Sequence, residues 1–269
     1  MKVSIVTISF NQRAYLQSAI DSVLGQNYLE LEYIVVDPGS TDGSRELISS
    51  YRDRISKVIF EPDRGAADGL NKGFAAATGD VFGFLNSDDV LLPGAISSAA
   101  SFLDLHPDVD VVSGHSNLIG PEGRFFRRLF SNRMSINRFI YGGVLIIQPS
   151  TFFRRSIFER AGGFNANNKI AWDSELFLQM ARAEGRFEVV DEFWSGYRLH
   201  PQSITGATSS ENRIKEHVAE LIRIVKGRPA RGYDKLLRMM YCSLRHLLHP
   251  ISAWERIRRG PVFGRSLDD

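Results

Sequence analysis

A single cysteine, Cys242, stands among 269 residues. It excludes an intramolecular disulfide and leaves no thiol cluster for zinc. A reducing compartment is therefore the expectation, with the cytoplasm as the default location. Long apolar runs are also missing: the longest, at 139–147, has nine residues, where a bilayer span needs about 20. The opening residues MKVSIVTISFNQ have neither the apolar core nor the small-residue cleavage site of a signal peptide. Neither GxxxxGK(S/T) nor GxGxxG occurs, so a glycine-rich loop is not expected to cradle phosphate. Internal repeats and low-complexity tracts are absent. A basic surface is missing from the main body, since residues 1–209 carry 20 basic and 24 acidic side chains. That balance argues against nucleic acid as a partner, because neutralising phosphates takes a basic face on the binding domain.

What is present is alternation. Short β-rich segments at 2–8, 31–37, 57–60, 81–85 and 109–113 are separated by helical stretches. One of these, 14–24, spaces Leu16, Ala19, Ile20, Val23 and Leu24 on one face before Gly25. The pattern predicts an α/β fold around a mostly parallel sheet. Polar punctuation from Thr205 to Ser210 suggests a boundary near residue 208. It divides a domain at 1–208, with a nucleotide-binding part to about 110 and an acceptor part from 111, from a helical tail at 209–269.

Ligands of open α/β sheets bind beyond the carboxyl ends of the strands, so the residues that follow each strand matter most. After VFGFL comes Asn86-Ser87-Asp88-Asp89. Adjacent carboxylates repel unless a cation or a donor-rich ligand offsets them. With hard oxygen ligands and no cysteine nearby, Mg²⁺ or Mn²⁺ is the matching ion, bound through one or two carboxylates plus substrate phosphates. An N-cap aspartate before a helix near Pro93 explains the pair equally simply. Asp37, at another strand end, favours the ligand reading.

Five blocks occur in order: VSIVTISFNQRAYLQSAIDSVLGQ, YIVVDPGSTDGS, EPDRGAADGLNKGFAAATGD, FGFLNSDDVLLPGA and QPSTFFRRSIFERAGGFN. Together they resemble the family 2 inverting glycosyltransferases of GT-A fold over roughly residues 2–205. The resemblance implies a GT-A, Rossmann-like domain that moves a sugar from a nucleoside-diphosphate donor, UDP-sugar favoured over GDP- or dTDP-sugar, to a glycan or lipid-linked acceptor. The implied setting is bacterial polysaccharide synthesis. It places Thr7 and Phe10 near the nucleotide base, with Phe10 against its face, and gives Asp37 the base contact made by the first acid of a DD pair whose second member is Pro38 here. Asp68 resembles a nucleotide-contacting aspartate, though a helix-start cap accounts for it as well. LNSDD resembles the DxD motif with Asn86 in its first acidic position, so Asp88 would contact ribose or metal and Asp89 the metal.

Inverting transfer needs a base for the acceptor hydroxyl. In AWDSELFLQMA, Asp173 falls in register with Leu176, Phe177 and Met180, which places it at the start of a buried stripe, with Glu175 off it. The resemblance assigns the base to this block, hence to Asp173. His200, in YRLHPQSIT, matches a histidine that reaches the metal, although a hydrogen-bonded core histidine is the commoner use of such a residue. Trp194 and Tyr197 are either an acceptor-sugar platform or core. Residues 210–269 hold 13 basic and 7 acidic side chains. Leu237, Met240, Tyr241, Leu244 and Leu248 line one face of a helix there, beside Lys235, Arg238 and Arg245. Such a helix suits the anionic cytoplasmic face of a membrane; packing on the catalytic domain is the alternative. Two rivals share the nucleotide reading. A sugar-1-phosphate nucleotidyltransferase would show a basic, glycine-rich opening loop, which TISFNQ lacks. A catalytically idle sugar-nucleotide-binding protein would follow from the acids missing at Pro38, Asn86 and Trp172.

Overall fold

The computed structural model describes residues 1–201, 203 and 210–260. The boundary expected near residue 208 lies outside them. The first half alternates strand and helix: β1 (Val3–Ile8), α1 (Arg13–Leu24), β2 (Leu31–Val36), α2 (Ser44–Ser50), β3 (Lys57–Ile59), α3 (Ala66–Ala76), β4 (Val81–Asn86), β5 (Val90–Leu91) and α4 (Ala95–Leu105). The second half runs β6 (Val111–Ile119), β7 (Phe125–Leu129), α5 (Ile136–Ile140), β8 (Thr151–Arg154), α6 (Arg155–Arg160), α7 (Trp172–Arg182) and β9 (Phe187–Arg198). Helices α8 (Ser210–Lys226), α9 (Gly232–Leu248) and α10 (Pro250–Arg259) follow.

One sheet carries the order β3-β2-β1-β4-β8-β6-β9-β5, with β7 beside β6. The α/β expectation holds. The expected parallel pairing is confined to β3, β2, β1 and β4 and to the β6–β9 pair; β8 runs antiparallel to both β4 and β6, and β5 and β7 are antiparallel to their neighbours. The two-residue β5 and four-residue β8 are too short for a readable period. Each face of the sheet has its own core. Val3, Ile5, Val35 and Leu85 pack with α1, α2 and α4 on one side, while Val6, Ile34, Val36 and Phe84 pack with α3, α6 and α7 on the other. Successive side chains of a strand face opposite sides, so one apolar run feeds both layers.

Trp194 belongs to this core rather than to a sugar platform. It is 1% exposed, and its ring lies against Gly114 of β6, where an added Cβ would come within 2.4 Å of the indole. The tail helix α9 is divided: Leu237 and Tyr241 pack on a third cluster around Phe139, Ile140 and Leu221, whereas Met240 and Leu248 are exposed. Among the described residues no helix is long and apolar enough to cross a membrane.

Glu32 fastens the amino ends of β1 and β2 to the loop after α3. Its carboxylate accepts from Lys2 Nζ at 3.0 Å, Ser4 Oγ at 2.5 Å, Thr78 N at 2.7 Å and Thr78 Oγ1 at 2.7 Å. Burial raises its pKa, but these donors outweigh burial and bring it from 4.5 down to about 2. A depressed carboxylate stabilises the fold above its ordinary pKa, and that contribution is lost as pH falls through the folded value. Glu32→Gln is expected to lower stability by about 1–2 kcal/mol at pH 7. In urea melts the gap to wild type should close between pH 4.5 and about 2; a gap independent of pH would contradict the account.

Candidate active site

The carboxyl ends of β3, β2, β1 and β4 point the same way, and the loops leaving them enclose a cavity of about 540 Å³. Ser9 and Phe10 follow β1, Pro38 follows β2, Asp63 follows β3 and Asn86 to Asp89 follow β4; Trp172 of α7 and Tyr197 and Arg198 of β9 close the far wall. Phe10, 59% exposed, presents an aromatic face at the rim, as a base-stacking role requires.

Three other residues expected at the nucleotide have partners within the protein. Thr7 is fully buried, and its hydroxyl accepts from Tyr33 Oη at 3.0 Å, so it braces β1 against β2 behind the cavity. Strand alternation turns it away while Ile8 lines the wall. Asp37 is also fully buried. One oxygen accepts from Gly39 N, Ser40 N and Arg45 Nε, the other from Ser40 Oγ, which makes it the organiser of the PGST turn that carries Pro38 to the wall. Asp68, in the first turn of α3, accepts from the backbone and guanidinium of Arg64. Its hydrogen bonds with Arg64 lower its pKa, and it sits in the first turn of α3, where an acid is favourable.

Sequence reasoning passed over Asp63, which does line the cavity. Its carboxylate accepts from Gly65 N at 2.8 Å. Burial pushes its pKa up, and Gly65 N–H opposes the rise. Its position in the loop that leaves β3, in EPDRG, was the available signal.

The acid pair occupies a tight turn between β4 and β5. Asp89 is 1% exposed; its Oδ1 accepts from Arg198 N at 2.8 Å. Burial, and after it the neighbouring Asp88, push its carboxyl well above the usual range against this donor. Asp88 Oδ2 lies 3.1 Å from Nε2 of His200, which is fully buried. The imidazole is thereby held beside the acid turn. Its ring centroid lies 4.4 Å from that of Tyr15, with the two planes tilted by 42°. Asn86 donates to Gln148 Oε1 at 3.1 Å, and Gln148 Nε2 to Phe84 O at 2.6 Å, so the neutral residue in the first motif position is anchored by a neutral partner.

Arg198 ties this turn to the rest of the sheet. Its Nε donates to Asp88 O at 2.7 Å, its Nη1 to Gly120 O at 3.1 Å and Pro121 O at 2.7 Å, and the guanidinium lies over the Tyr15 ring. A second cavity of about 600 Å³, beside Tyr15, Asn117 and Glu122, lies against Arg198 too, but it lacks the acid pair. Among the described residues no three His, Cys, Asp or Glu side chains converge at metal-binding spacing. The donor set nevertheless fits a hard cation held by two carboxylates and completed by substrate oxygens, since a cation would offset the burial and the Asp88 charge that push the Asp89 carboxyl up.

On α7 the expected burial is reversed. Glu175 is 7% exposed and accepts from Asn165 Nδ2 at 3.1 Å and Asn168 Nδ2 at 2.7 Å, because the loop before the helix supplies donors that make a buried carboxylate tolerable. Asp173 is half-exposed, accepts the N–H of Ser174 and adjoins the cavity-lining Trp172.

Replacing Arg198 with Met strands the carbonyls of Asp88, Gly120 and Pro121. The expected cost is about 2 kcal/mol or more in urea melts, with weaker nucleotide-sugar binding by calorimetry as the turn loosens. Unchanged binding would remove Arg198 from any part in positioning the turn.

The model of the family described as Glycosyl transferase family 2 matches residues 4–162. The chain is 32% identical over 183 residues to the uncharacterized glycosyltransferase Rv1514c of Mycobacterium tuberculosis, covering 66% of this chain and 68% of that one. It superposes on residues 1–349 of S. aureus TarS in complex with UDP-GlcNAc with a TM-score of 0.64 at 19% identity, over 93% of this chain and 73% of that one. It spans 44% of a longer TarS chain. The mannosyltransferase PcManGT of Pyrobaculum calidifontis, in complex with GDP-Man and Mn²⁺, gives a TM-score of 0.64 at 17% identity, over 97% and 76% of the two chains. These structures share the fold; the family match, more than half of the sequence and containing four of the cavity's strand-end loops, settles that this chain belongs to glycosyl transferase family 2.

Proposed function

We propose that the chain transfers a sugar from a nucleoside-diphosphate sugar, a UDP-sugar first among candidates, to a hydroxyl of a glycan or lipid-linked acceptor in polysaccharide synthesis, with inversion at the anomeric carbon. The observation that carries this reading is the cavity itself, with the exposed ring of Phe10 on its rim and the Asp88–Asp89 turn among its walls. A base stacked on Phe10 and a diphosphate at the acid turn is the arrangement that such a cavity favours. The nucleotide sugars bound to the structurally similar enzymes are of this class.

Asp88 and Asp89 would hold Mg²⁺ or Mn²⁺ jointly with the diphosphate, and the ion would supply the positive charge that the leaving group requires. His200 and Arg198 keep the two carboxylates in place. Asp173 accepts the acceptor's hydroxyl proton; the freed oxygen forms its bond to the anomeric carbon from one face while the bond to the diphosphate breaks on the other. Accessibility favours Asp173 over Glu175, because Glu175 is committed to two asparagines.

Nucleoside diphosphate release from a panel of UDP-, GDP- and dTDP-sugars, with and without Mn²⁺, should show metal-dependent turnover of one donor class. Phe10→Ala should weaken that donor about fivefold, corresponding to about 1 kcal/mol of stacking. Asp173→Asn should keep donor binding while turnover with acceptor falls at least about 100-fold. Wild-type turnover in Asp173→Asn would remove the base assignment, and no release from any donor would contradict the transferase reading for this chain.

A further inference from the structure

Helices α9 and α10 leave large apolar side chains outside. On α10 the residue facing the protein is Glu255, 5% exposed; it accepts from Arg128 N of β7 and pairs with Arg259. Arg259 also donates to Phe126 O, and Arg127 of β7 donates to Gly260 O. Ile257, at 84% exposure, faces away from Glu255, and Trp254 at 53% and Ile251 at 63% are exposed beside it. On α9 the inward residues include Asp234, held by Arg228 at 2.8 Å, and the outward ones Leu236, Met239, Met240 and Leu247. Nine of the fourteen large apolar side chains exposed among the described residues lie between 233 and 257. A surface helix ordinarily turns its apolar stripe inward; here ionic contacts hold α10, and Leu237 and Tyr241 with the Asp234 ion pair hold α9, while a second set of apolar side chains stays outside, which marks a binding surface.

Charge decides what covers it. The only acids between 231 and 260 are Asp234 and Glu255, both buried and paired. Arg231, Lys235, Arg256 and Arg258 are exposed, and Arg258 lies over the Trp254 ring. The surface is therefore apolar with a uniformly positive border. A second copy docked face to face would set those cations against their own images, an arrangement that like-charge repulsion opposes. We propose that α9 and α10 lie on an anionic lipid surface, with Trp254, Ile251 and Ile257 entering the headgroup boundary and the arginines and lysine meeting lipid phosphates. Topology gives this a use. β6 and β9 end at the same edge of the sheet as β1 and β4, and Ile119 of β6 pairs with Arg198 on one side and Phe125 of β7 on the other. The carboxyl end of α10, anchored at Phe126, therefore sits at the edge of the sheet that carries the donor cavity.

The test is co-sedimentation of the full chain with vesicles of phosphatidylcholine alone or with phosphatidylglycerol. Of the three tryptophans, Trp172 and Trp194 are buried, so a vesicle-induced blue shift in emission reports on Trp254. Binding is expected only with the anionic vesicles, weakening as salt is raised. Trp254→Glu with Ile257→Glu, both solvent-facing, should reduce binding at least tenfold with the melting temperature unchanged. No binding by the intact chain, or equal binding by the double variant, would overturn the proposal. So would a dimer in size-exclusion chromatography that the double variant dissociates. Vesicle binding is read without turnover, so its failure leaves the transferase reading standing.

Discussion

Two neighbouring carboxylates in a turn that is mostly shielded from water constrain everything around them. Left alone, Asp88 and Asp89 would repel each other and one would stay protonated. The fold answers from one strand: Arg198 offers its backbone N–H to Asp89 and its guanidinium to the carbonyl of Asp88, and His200, two residues on, faces the Asp88 carboxylate. The β4–β5 turn is thereby fastened to β9 across a sheet whose two halves are joined through β8. Burial and the neighbouring Asp88 still push the Asp89 carboxyl up, and a divalent cation bound there would offset both. The contacts that hold this turn for stability are thus the ones that ligand binding there would draw on.

The parallel half of the sheet was legible because each of its strands is an apolar run followed at once by turn formers, and the loops with ligand-binding potential are those turns. What each polar residue does within a turn was less legible. Asp37, Asp68 and Thr7 bond their own loops and neighbours, because an aspartate or threonine beside unpaired N–H or O–H groups satisfies them locally before reaching a ligand. Asp63 was overlooked although it stands at the same kind of strand end. Arg198 was hidden for another reason: in β9 it shares a face with the buried Trp194 and Gly196, where arginine is rare unless partnered. Period-two alternation read through Trp194 would have exposed it. Glu175 escaped because its partners, Asn165 and Asn168, precede the helix, and a helical periodicity carries no information about donors outside it.

The tail shows a related limit. Its amphipathic pattern was visible, but two apolar faces compete on α9, and only the packing of Leu237 and Tyr241 on the Phe139 cluster shows which one is used inside. The outward face then acquires meaning from α10, where the ionic contacts of Glu255 and Arg259 fix the orientation. Sequence periodicity identifies a stripe; buried ion pairs tell which way it points.

The account rests on the acid turn being the diphosphate end of the cavity. A crystal structure of the chain grown with UDP and Mn²⁺ tests this directly. The account predicts diphosphate oxygens and the ion beside Asp88 and Asp89, with the uracil ring against Phe10. Nucleotide bound in the second cavity beside Tyr15 and Asn117, with the acid turn empty, would contradict it.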